Sequence, residues 1–296
     1  MTDATVQAPH QAQIDRDGFV TRFRHWLTDD PVAAIALAVL CMIVGCAIFA
    51  PWISPYDPTL QNYDAMLEGP SAAHLLGTDD LGRDVFSRLI HGASASVYAS
   101  CLAVGVASLL GIPVGLIAGY AGGWVDEAIS RVIDTFLSFP AIVLAIAVTG
   151  VLGIGLTNAM ISVGIVFAPQ LARLARARTL VLKQELYVDA AHCFGASPAW
   201  ILARHILPNA IQPVLVQMTL LMAVALLAEA SLSFLGLGMQ PPDPSWGSMI
   251  ARAYLYAQIA PAQMYAPGIA ILVTALAFNT VGESLREALD PTSAKP

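Results

Sequence analysis

The feature that most constrains this chain is a set of long apolar stretches, nearly all of them without a charged residue. The first runs from Ala33 to Ala50, and as a helix it would be about 27 Å long, enough to cross the hydrocarbon core of a bilayer. Charged residues make up only 12% of the 296 residues, against roughly 25% in soluble domains. The sequence therefore predicts an all-α integral membrane protein with six transmembrane helices, at about 33–50, 98–120, 135–153, 156–171, 211–235 and 265–281.

The ends of the chain are polar, and residues 1–30 and 291–296 are expected to form tails, with one short surface helix around residues 19–27. Asp30 and Pro31 have the residue types of a helix start. A cleaved signal peptide is the alternative for the first span, because Gly45-Cys46-Ala47 resembles a cleavage site. The run is long for such a peptide, and acidic as well as basic residues precede it.

The distribution of positive charge predicts the orientation. Six spans place both termini on one side, together with eleven of the 14 Lys and Arg residues, at positions 16, 22, 24, 131, 173, 176, 178, 183, 204, 286 and 295. Only positions 83, 88 and 252 lie opposite. The positive-inside rule then makes the termini and the loop 184–209 cytoplasmic, and the loops 51–97 and 236–264 external.

The first external loop contains two glycines, Gly77 and Gly82, with the spacing of a phosphate-binding loop. Arg83-Asp84 occupies the place of Lys-Ser/Thr and no strand precedes it, so we exclude nucleotide binding there. The residues that follow would form one apolar face of a short helix at the membrane surface, and they are Val85, Phe86, Leu89 and Ile90.

The second predicted span carries small residues at every fourth position. Ala or Gly occupies positions 95, 99, 103, 107, 111, 115, 119 and 123. Small residues at this spacing allow another helix to approach closely within a bilayer. We therefore predict a helix-packing seam rather than a face that lines a substrate path.

The loop between the fourth and fifth spans is the most polar interruption of the apolar sequence. Its central segment, YVDAAHCFGASPAWILARHILPN at 187–209, predicts two short helices, broken at Gly195 and restarted after Ser197-Pro198. Contact with a soluble partner is the favoured interpretation. An amphipathic helix that rests on lipid headgroups without a partner is the alternative.

The spacing within this loop resembles the EAA loop of ABC-importer permeases. Asp189-Ala190-Ala191 is followed after three residues by Gly195 and after nine more by His205, any residue and Leu207-Pro208. Asp189 stands where the consensus has Glu, and His205 where it has Ile. Two further segments, LGTDDLGRDVFSRLIHGA at 76–93 and AEASLSFLGLGMQPPDPSWGSMI at 228–250, are similar to the dipeptide/oligopeptide/nickel transport permease family, specifically to the subunit with the shorter N-terminal region.

This resemblance implies a type I importer permease of the MetI-like fold over residues 31–290. Its implied partners are a second homologous permease, two cytoplasmic ATP-binding subunits and an extracytoplasmic substrate-binding protein. ATP and Mg would be bound by the ATPases, so the chain itself has no cofactor and is not an enzyme. The loop would form a coupling helix in a cleft of the ATPase, and the residues this implies are Asp189, Ala190, Ala191, Gly195, Leu207 and Pro208.

Several other residues are candidates for function. Glu229 lies within the fifth span, where it either lines the translocation path or hydrogen-bonds a neighbouring helix. Asp243 and Trp246 are candidate contacts for the binding protein. No catalytic or metal-binding constellation is apparent, and the four cysteines are expected to be small buried hydrophobes. A group of basic residues ends the fourth span on the cytoplasmic side. The orientation of the chain in the membrane explains the group, and contact with the ATPase is the alternative. Its members are Arg173, Arg176, Arg178 and Lys183.

We therefore predict a permease of the cytoplasmic membrane that imports dipeptides and short oligopeptides. Nickel, a nickel chelate or a glutathione-like compound is the alternative substrate. An ion-coupled secondary transporter would show internal repeats and paired charges, which the sequence lacks, and a membrane scaffold would leave the loop motif unexplained. The net charge of -7 is scattered and gives no basic surface for nucleic acid.

Overall fold

The computed structural model describes residues 30–289, and the regular elements in this range are helices. Residues 1–29 and 290–296, with the predicted tails and the surface helix at 19–27, lie outside the described residues. The helices are α1 (Pro31–Ile53), α2 (Val85–Ala121), α3 (Gly123–Leu137), α4 (Ala141–Leu152), α5 (Leu156–Leu182), α6 (Leu186–Cys193), α7 (Pro198–Phe234), α8 (Trp246–Leu255) and α9 (Ala262–Leu289).

Five of these helices are long and apolar enough to cross a membrane, namely α1, α2, α5, α7 and α9. Helices α3 and α4 pass the same test only as a pair, with a bend of 96° between them. The fold is therefore all-helical with five membrane-spanning helices, or six when the bent pair counts as one. We call the side where α1 begins and α2, α5 and α9 end the near face, and the opposite side the far face.

The bent pair differs from the single straight span predicted over residues 135–153. Helix α3 ends at Leu137, and α4 begins directly after Pro140. Proline has no N–H to continue a helical ladder, and it disfavours helical geometry at the preceding residue. The break therefore has a local cause, but hydrophobicity alone did not reveal it, because the apolar run continues through it.

The predicted seam of small residues in α2 packs against α5, which runs parallel to it. A Cβ at Gly115 would lie 2.2 Å from the Ala172 carbonyl oxygen and 2.8 Å from the Ala175 Cβ. A Cβ at Gly111 would lie 2.4 Å from the Ala168 carbonyl oxygen. The prediction of a packing seam is confirmed, because only hydrogen at these positions allows the two backbones to approach this closely.

The far-face end of α2 requires a correction. We expected residues 85–90 to form a separate helix at the membrane surface, whereas the structure makes them the first turns of α2. Val85 is 2% exposed and Ile90 is 6% exposed. They are buried because the far-face segments, including α8, fold over this end of the helix, where Val85 joins an apolar cluster with Trp246 and Met249.

The cysteines also differ from expectation. Cys41, Cys101 and Cys193 are exposed and Cys46 is partly buried. Cys41 and Cys101 lie on membrane-spanning helices, where an apolar side chain can face lipid instead of a protein core. Apolar surroundings in the sequence therefore did not imply burial within this chain.

Candidate functional site

The near-face segment between α5 and α7 has the predicted local structure. Helix α6 ends at Cys193, and Gly195 has φ +78°, a left-handed conformation that favours glycine. The Ser197 hydroxyl then accepts a hydrogen bond from the Trp200 N–H at 3.4 Å, with Pro198 in the first turn. The break at Gly195 and the restart after Ser197-Pro198 are thus confirmed.

The second helix of this segment is not short, in contrast to the prediction. It starts at Pro198 and continues without interruption into the membrane-spanning part of α7. Residues Leu202–Ile206 form a π-helical stretch within it. Pro208, two positions after this stretch, cannot donate to a carbonyl of the preceding turn, which is a local reason for a wider turn here. Leu207 and Pro208 therefore lie inside one helix and not at the start of a new one.

Apolar contacts hold the segment on the rest of the chain. Val188 in α6 and Ile201 and Ile206 in α7 are each 0% exposed, and they pack in one cluster with Leu116 of α2. This contact explains why α6 is fixed although it has only eight residues, too few to be stable alone.

The outer side of the segment is a concave, exposed surface. Its cavity has a volume of about 620 Å³ and is lined by Tyr187, Ala190, Ala191, Phe194, Gly195, Ala196, Ser197, Trp200 and His205. We call these residues the near-face cavity. Phe194 is 92% exposed and Trp200 is 50% exposed. Exposed apolar side chains grouped around small residues are typical of a surface that a partner protein covers.

Aromatic and ionisable groups shape this cavity. The His205 ring lies 4.9 Å from the Trp200 ring and 5.9 Å from the Tyr187 ring. Burial raises the pKa of the Tyr187 hydroxyl above its usual value, and the nearby Glu185 carboxylate acts in the same direction. Tyr187 is therefore neutral at physiological pH. Asp189 of α6 is exposed but does not line this cavity.

Polar contacts connect the cavity to the ends of α2 and α5. His192 hydrogen-bonds the Tyr120 hydroxyl at 3.0 Å, and Lys183 Nζ donates to the Tyr120 carbonyl oxygen at 2.7 Å. Two of the arginines predicted for this face are paired inside the chain. Arg173 pairs with Asp134 at 2.6 Å, and Arg176 Nη2 donates to Asp126 at 2.7 Å, so both fasten α3 to α5.

Glu229 is enclosed between three parts of the chain. Its side chain is 0% exposed, and it accepts hydrogen bonds from the hydroxyls of Ser233 at 2.8 Å and Ser96 at 3.3 Å. The start of α8 also lies beside it, and the Trp246 N–H donates to the Ser96 hydroxyl at 3.4 Å. This geometry favours the structural alternative for Glu229, because the carboxylate joins α7, α2 and α8.

The two candidate contacts for a binding protein differ in exposure. Asp243 is exposed, whereas Trp246 is 2% exposed. The Trp246 indole donates to the Leu89 carbonyl oxygen at 2.9 Å and packs in an apolar cluster. Trp246 is therefore enclosed and not available to a partner in this conformation, because α8 folds its first turn against α2.

Sequence reasoning missed a network of buried charges on the far face. Arg83 Nε donates to Asp79 Oδ2 at 2.7 Å, the same oxygen lies 3.5 Å from Arg88 Nε, and Arg252 Nη1 lies 3.3 Å from Asp80. The signal was visible as Asp-Asp and Arg-Asp pairs within an apolar chain, where buried charges need partners. We had used Arg83 to exclude nucleotide binding and the three arginines to predict the orientation, but had not predicted that they meet.

Comparison with known proteins identifies the family. The family described as "Binding-protein-dependent transport system inner membrane component" matches residues 111–295, and the "N-terminal TM domain of oligopeptide transport permease C" matches residues 19–70. The chain is 43% identical over 270 residues to a glutathione transport system permease protein GsiD of Pectobacterium atrosepticum, covering 91% of this chain and 89% of the relative. GsiD of Escherichia coli O6:K15:H31 is 44% identical over 284 residues, covering 96% and 92%.

A solved structure supports the fold. The inward-facing MetNI methionine ABC transporter has a chain that superposes with a TM-score of 0.56 at 20% identity, over 69% of this chain and 98% of that one. The predicted MetI-like fold is confirmed. The chain belongs to the binding-protein-dependent transport system inner membrane component family, as a non-catalytic, multi-pass permease subunit of an ABC importer that functions with ATPase and substrate-binding partners.

Proposed function

We propose that this permease pairs with a second, homologous permease and two ATPases, and that it imports short peptides, including glutathione. The near-face cavity is the observation that supports this proposal most strongly. It presents exposed Phe194 and Trp200 beside the small residues Ala190 and Ala191. This is the surface chemistry that a docking protein would cover.

The orientation follows from the same proposal. The near face carries most of the basic side chains, so it is assigned to the cytoplasm, where the ATPases are. The far face, with residues 54–84 and α8, is then external and meets the binding protein. Residues 184–209, which comprise α6 and the first turns of α7, form the coupling loop that follows α5.

The proposed mechanism is alternating access. ATP binding draws the ATPases together, and the near-face cavity moves with them. The motion passes into α7, which is continuous from Pro198 to Phe234. It also passes to α2 through the contact between His192 and Tyr120. A rigid helix that joins the docking surface to the membrane core is a direct route for such a movement.

The glutathione and peptide assignments have a common chemical basis. The relatives in Pectobacterium and Escherichia coli are glutathione transport permeases by name, and glutathione is itself a short peptide. The family match to an oligopeptide transport permease domain points to the same substrate class. Nickel is the contrasting substrate, because it is a cation without a peptide backbone.

The proposal is tested with the reconstituted complex, which contains both permeases, the ATPases and the binding protein. ATPase activity is measured with dipeptides, glutathione and nickel. Stimulation by peptides or glutathione supports the substrate class, whereas stimulation by nickel alone overturns it.

The coupling role is tested in the same assay by substitutions in the near-face segment, within and beside the near-face cavity. Asp189→Arg and Gly195→Pro are expected to reduce stimulated hydrolysis and uptake at least tenfold, while Asp189→Glu, which keeps the charge, retains both. Phe194→Ala is expected to weaken ATPase association, and Leu255→Ala is its matched control, because Leu255 is an apolar residue 74% exposed on the far face. Activity that is indifferent to all three near-face changes would show that this loop is not the coupling element.

A further inference from the structure

A cluster of three arginines lies on the far face, distant from the near-face cavity. Arg83 comes from the loop before α2, Arg88 from the first turn of α2, and Arg252 from α8. All three line one pocket with a volume of about 140 Å³. Gln240, Asp243, Ser248 and Ala251 also line it.

The ion-pair network of the cluster contains three arginines and two aspartates. Arg83 and Arg88 are 1% and 4% exposed, so their charges are removed from water. Asp79 and Asp80 are the acids in ion pairs with these arginines, and the exposed Asp243 lines the same pocket outside those pairs. Asp84, although adjacent in sequence, is occupied by His74 at 2.9 Å and by the Ser87 N–H at 2.7 Å. Asp80 is shared between Arg252 at 3.3 Å and Arg83 at 3.9 Å, so the arginines outnumber the acids that pair with them.

One arginine also has donor capacity left. Arg83 Nη2 lies 2.7 Å from Asp79 Oδ2, the oxygen that already accepts a hydrogen bond from Arg83 Nε. Nη2 makes no hydrogen bond with any described residue, although it is buried. Guanidinium groups match the planar, two-oxygen geometry of a carboxylate better than any other side chain does.

We propose that this far-face pocket binds a carboxylate, supplied either by the transported peptide or by an acidic side chain of the binding protein. The first source rests on the proposed peptide function. The volume equals that of about four to five water molecules at ~30 Å³ each, so a carboxylate and its first carbons fit. Asp243 is exposed at the same pocket and suits the ammonium group of a free peptide.

The surroundings provide room for the remainder of a peptide. A neighbouring cavity of about 700 Å³ shares Gln240 and Asp243 with the arginine pocket. Its lining adds polar groups that can hydrogen-bond a peptide backbone, from Tyr98 and Asn158. The positive charge of the arginine pocket disfavours a bare metal cation. The geometry thus points to an anionic or zwitterionic ligand.

The test uses Ala251, which lines the pocket from α8 and is partly buried. Ala251→Glu places a tethered carboxylate at the arginines, and Ala251→Gln is a neutral control of the same size. Both variants are assembled with the partner permease, ATPases and binding protein in nanodiscs. One arm measures the affinity of the binding protein without substrate. The other measures ATPase stimulation by a dipeptide and by its C-terminal amide, at saturating binding protein.

The Ala251→Glu variant is expected to show a response about tenfold or more weaker than that of Ala251→Gln, either in binding-protein affinity or in ATPase stimulation. This is the size of effect expected when a hydrogen-bonded charged group is displaced. A loss confined to the stimulation arm, with the wild type preferring the free dipeptide to the amide, assigns the substrate as the source. A loss of affinity in the first arm assigns the binding protein. If Ala251→Glu and Ala251→Gln have the same affinity for the binding protein and the same ATPase stimulation, the proposal of a carboxylate-binding pocket is wrong.

Failure of the proposed peptide function can be distinguished from failure of the pocket. In the first case no peptide would stimulate the ATPase activity of the wild-type complex, while the affinity for the binding protein would still report on the pocket. Should Ala251→Glu not assemble, Arg252→Gln takes its place. The Arg252 side chain is 36% exposed, so its removal is tolerated more readily than that of Arg83. Arg252→Gln is expected to reduce either the affinity for the binding protein or the stimulation by the dipeptide three- to tenfold. An unchanged result in both measurements would contradict the proposal.

Discussion

The carboxylate of Glu229 in α7 accepts a hydrogen bond from the Ser96 hydroxyl in α2, across 3.3 Å and 133 positions of sequence. The same carboxylate also lies beside the first turn of α8. A single acidic side chain therefore connects the membrane core to the segment that covers the far face. Its enclosure makes it a positioning residue in this conformation.

Glu229→Ala is expected to destabilise the protein. It removes the shared acceptor of the Ser96 and Ser233 hydroxyls, and buried donors left unsatisfied cost about 2 kcal/mol. Thermal unfolding in detergent should occur roughly 5 °C lower. Glu283→Ala, which removes an exposed carboxylate from α9, is the control and should have no such effect. Full stability combined with lost uptake would instead place Glu229 in the translocation path.

The seam between α2 and α5 should tolerate no added methyl group at Gly115. Gly115→Ala places a Cβ 2.2 Å from the Ala172 carbonyl oxygen, so the helices must separate. Overpacking of this kind costs about 1–3 kcal/mol. Gly105→Ala in the same helix is the matched control, because nothing lies within 4 Å of its Cβ position. Gly105→Ala should be neutral or stabilising, since alanine favours helix. Unfolding temperatures that do not separate the two variants would contradict the seam.

Arg83→Met is expected to be destabilising. It removes the 2.7 Å hydrogen bond to Asp79, for which Arg88 Nε at 3.5 Å is the remaining cation, and a hydrogen bond to a charged group contributes about 1.5–3 kcal/mol. Arg131→Met is the comparison, because the side chains of its pair with Glu127 are 79% and 69% exposed, and exposed pairs contribute at most about 1 kcal/mol. Expression level and unfolding temperature measure the difference, and equal effects of the two changes would show that burial does not strengthen the far-face network.

The orientation can be tested through Cys193, which is exposed in the near-face segment. In a variant whose other cysteines are Ser, a membrane-impermeant maleimide should label Cys193 in inside-out vesicles and not in intact cells. Bound ATPases should protect it, because it lies beside the near-face cavity. Ala72→Cys lies in the exposed far-face loop, and in a chain without Cys193 it should be labelled in intact cells and not in inside-out vesicles. Labelling of Cys193 from outside would reverse the proposed orientation.

Sequence was sufficient where structure depends on neighbours in the chain. The helix start at Asp30-Pro31 was predicted, and Asp30 accepts hydrogen bonds from Val32 and Ala33 at 3.1 Å each. The break at Gly195 was predicted for the same reason, since backbone conformation and capping are local. The small-residue seam of α2 was also predicted, because Ala and Gly recur in the sequence at every fourth position, close to the period of a helix.

Other features depend on groups that are distant in sequence. Trp246 was predicted as a candidate contact for the binding protein, but α8 folds it onto Leu89, 157 positions away. The pocket that unites Arg83, Arg88 and Arg252 likewise needs two far-face segments to meet. The sequence by itself determined the membrane class, the family and the break at Gly195. Only the tertiary structure decided which polar groups are enclosed together, because hydropathy and spacing describe each segment but not its partners.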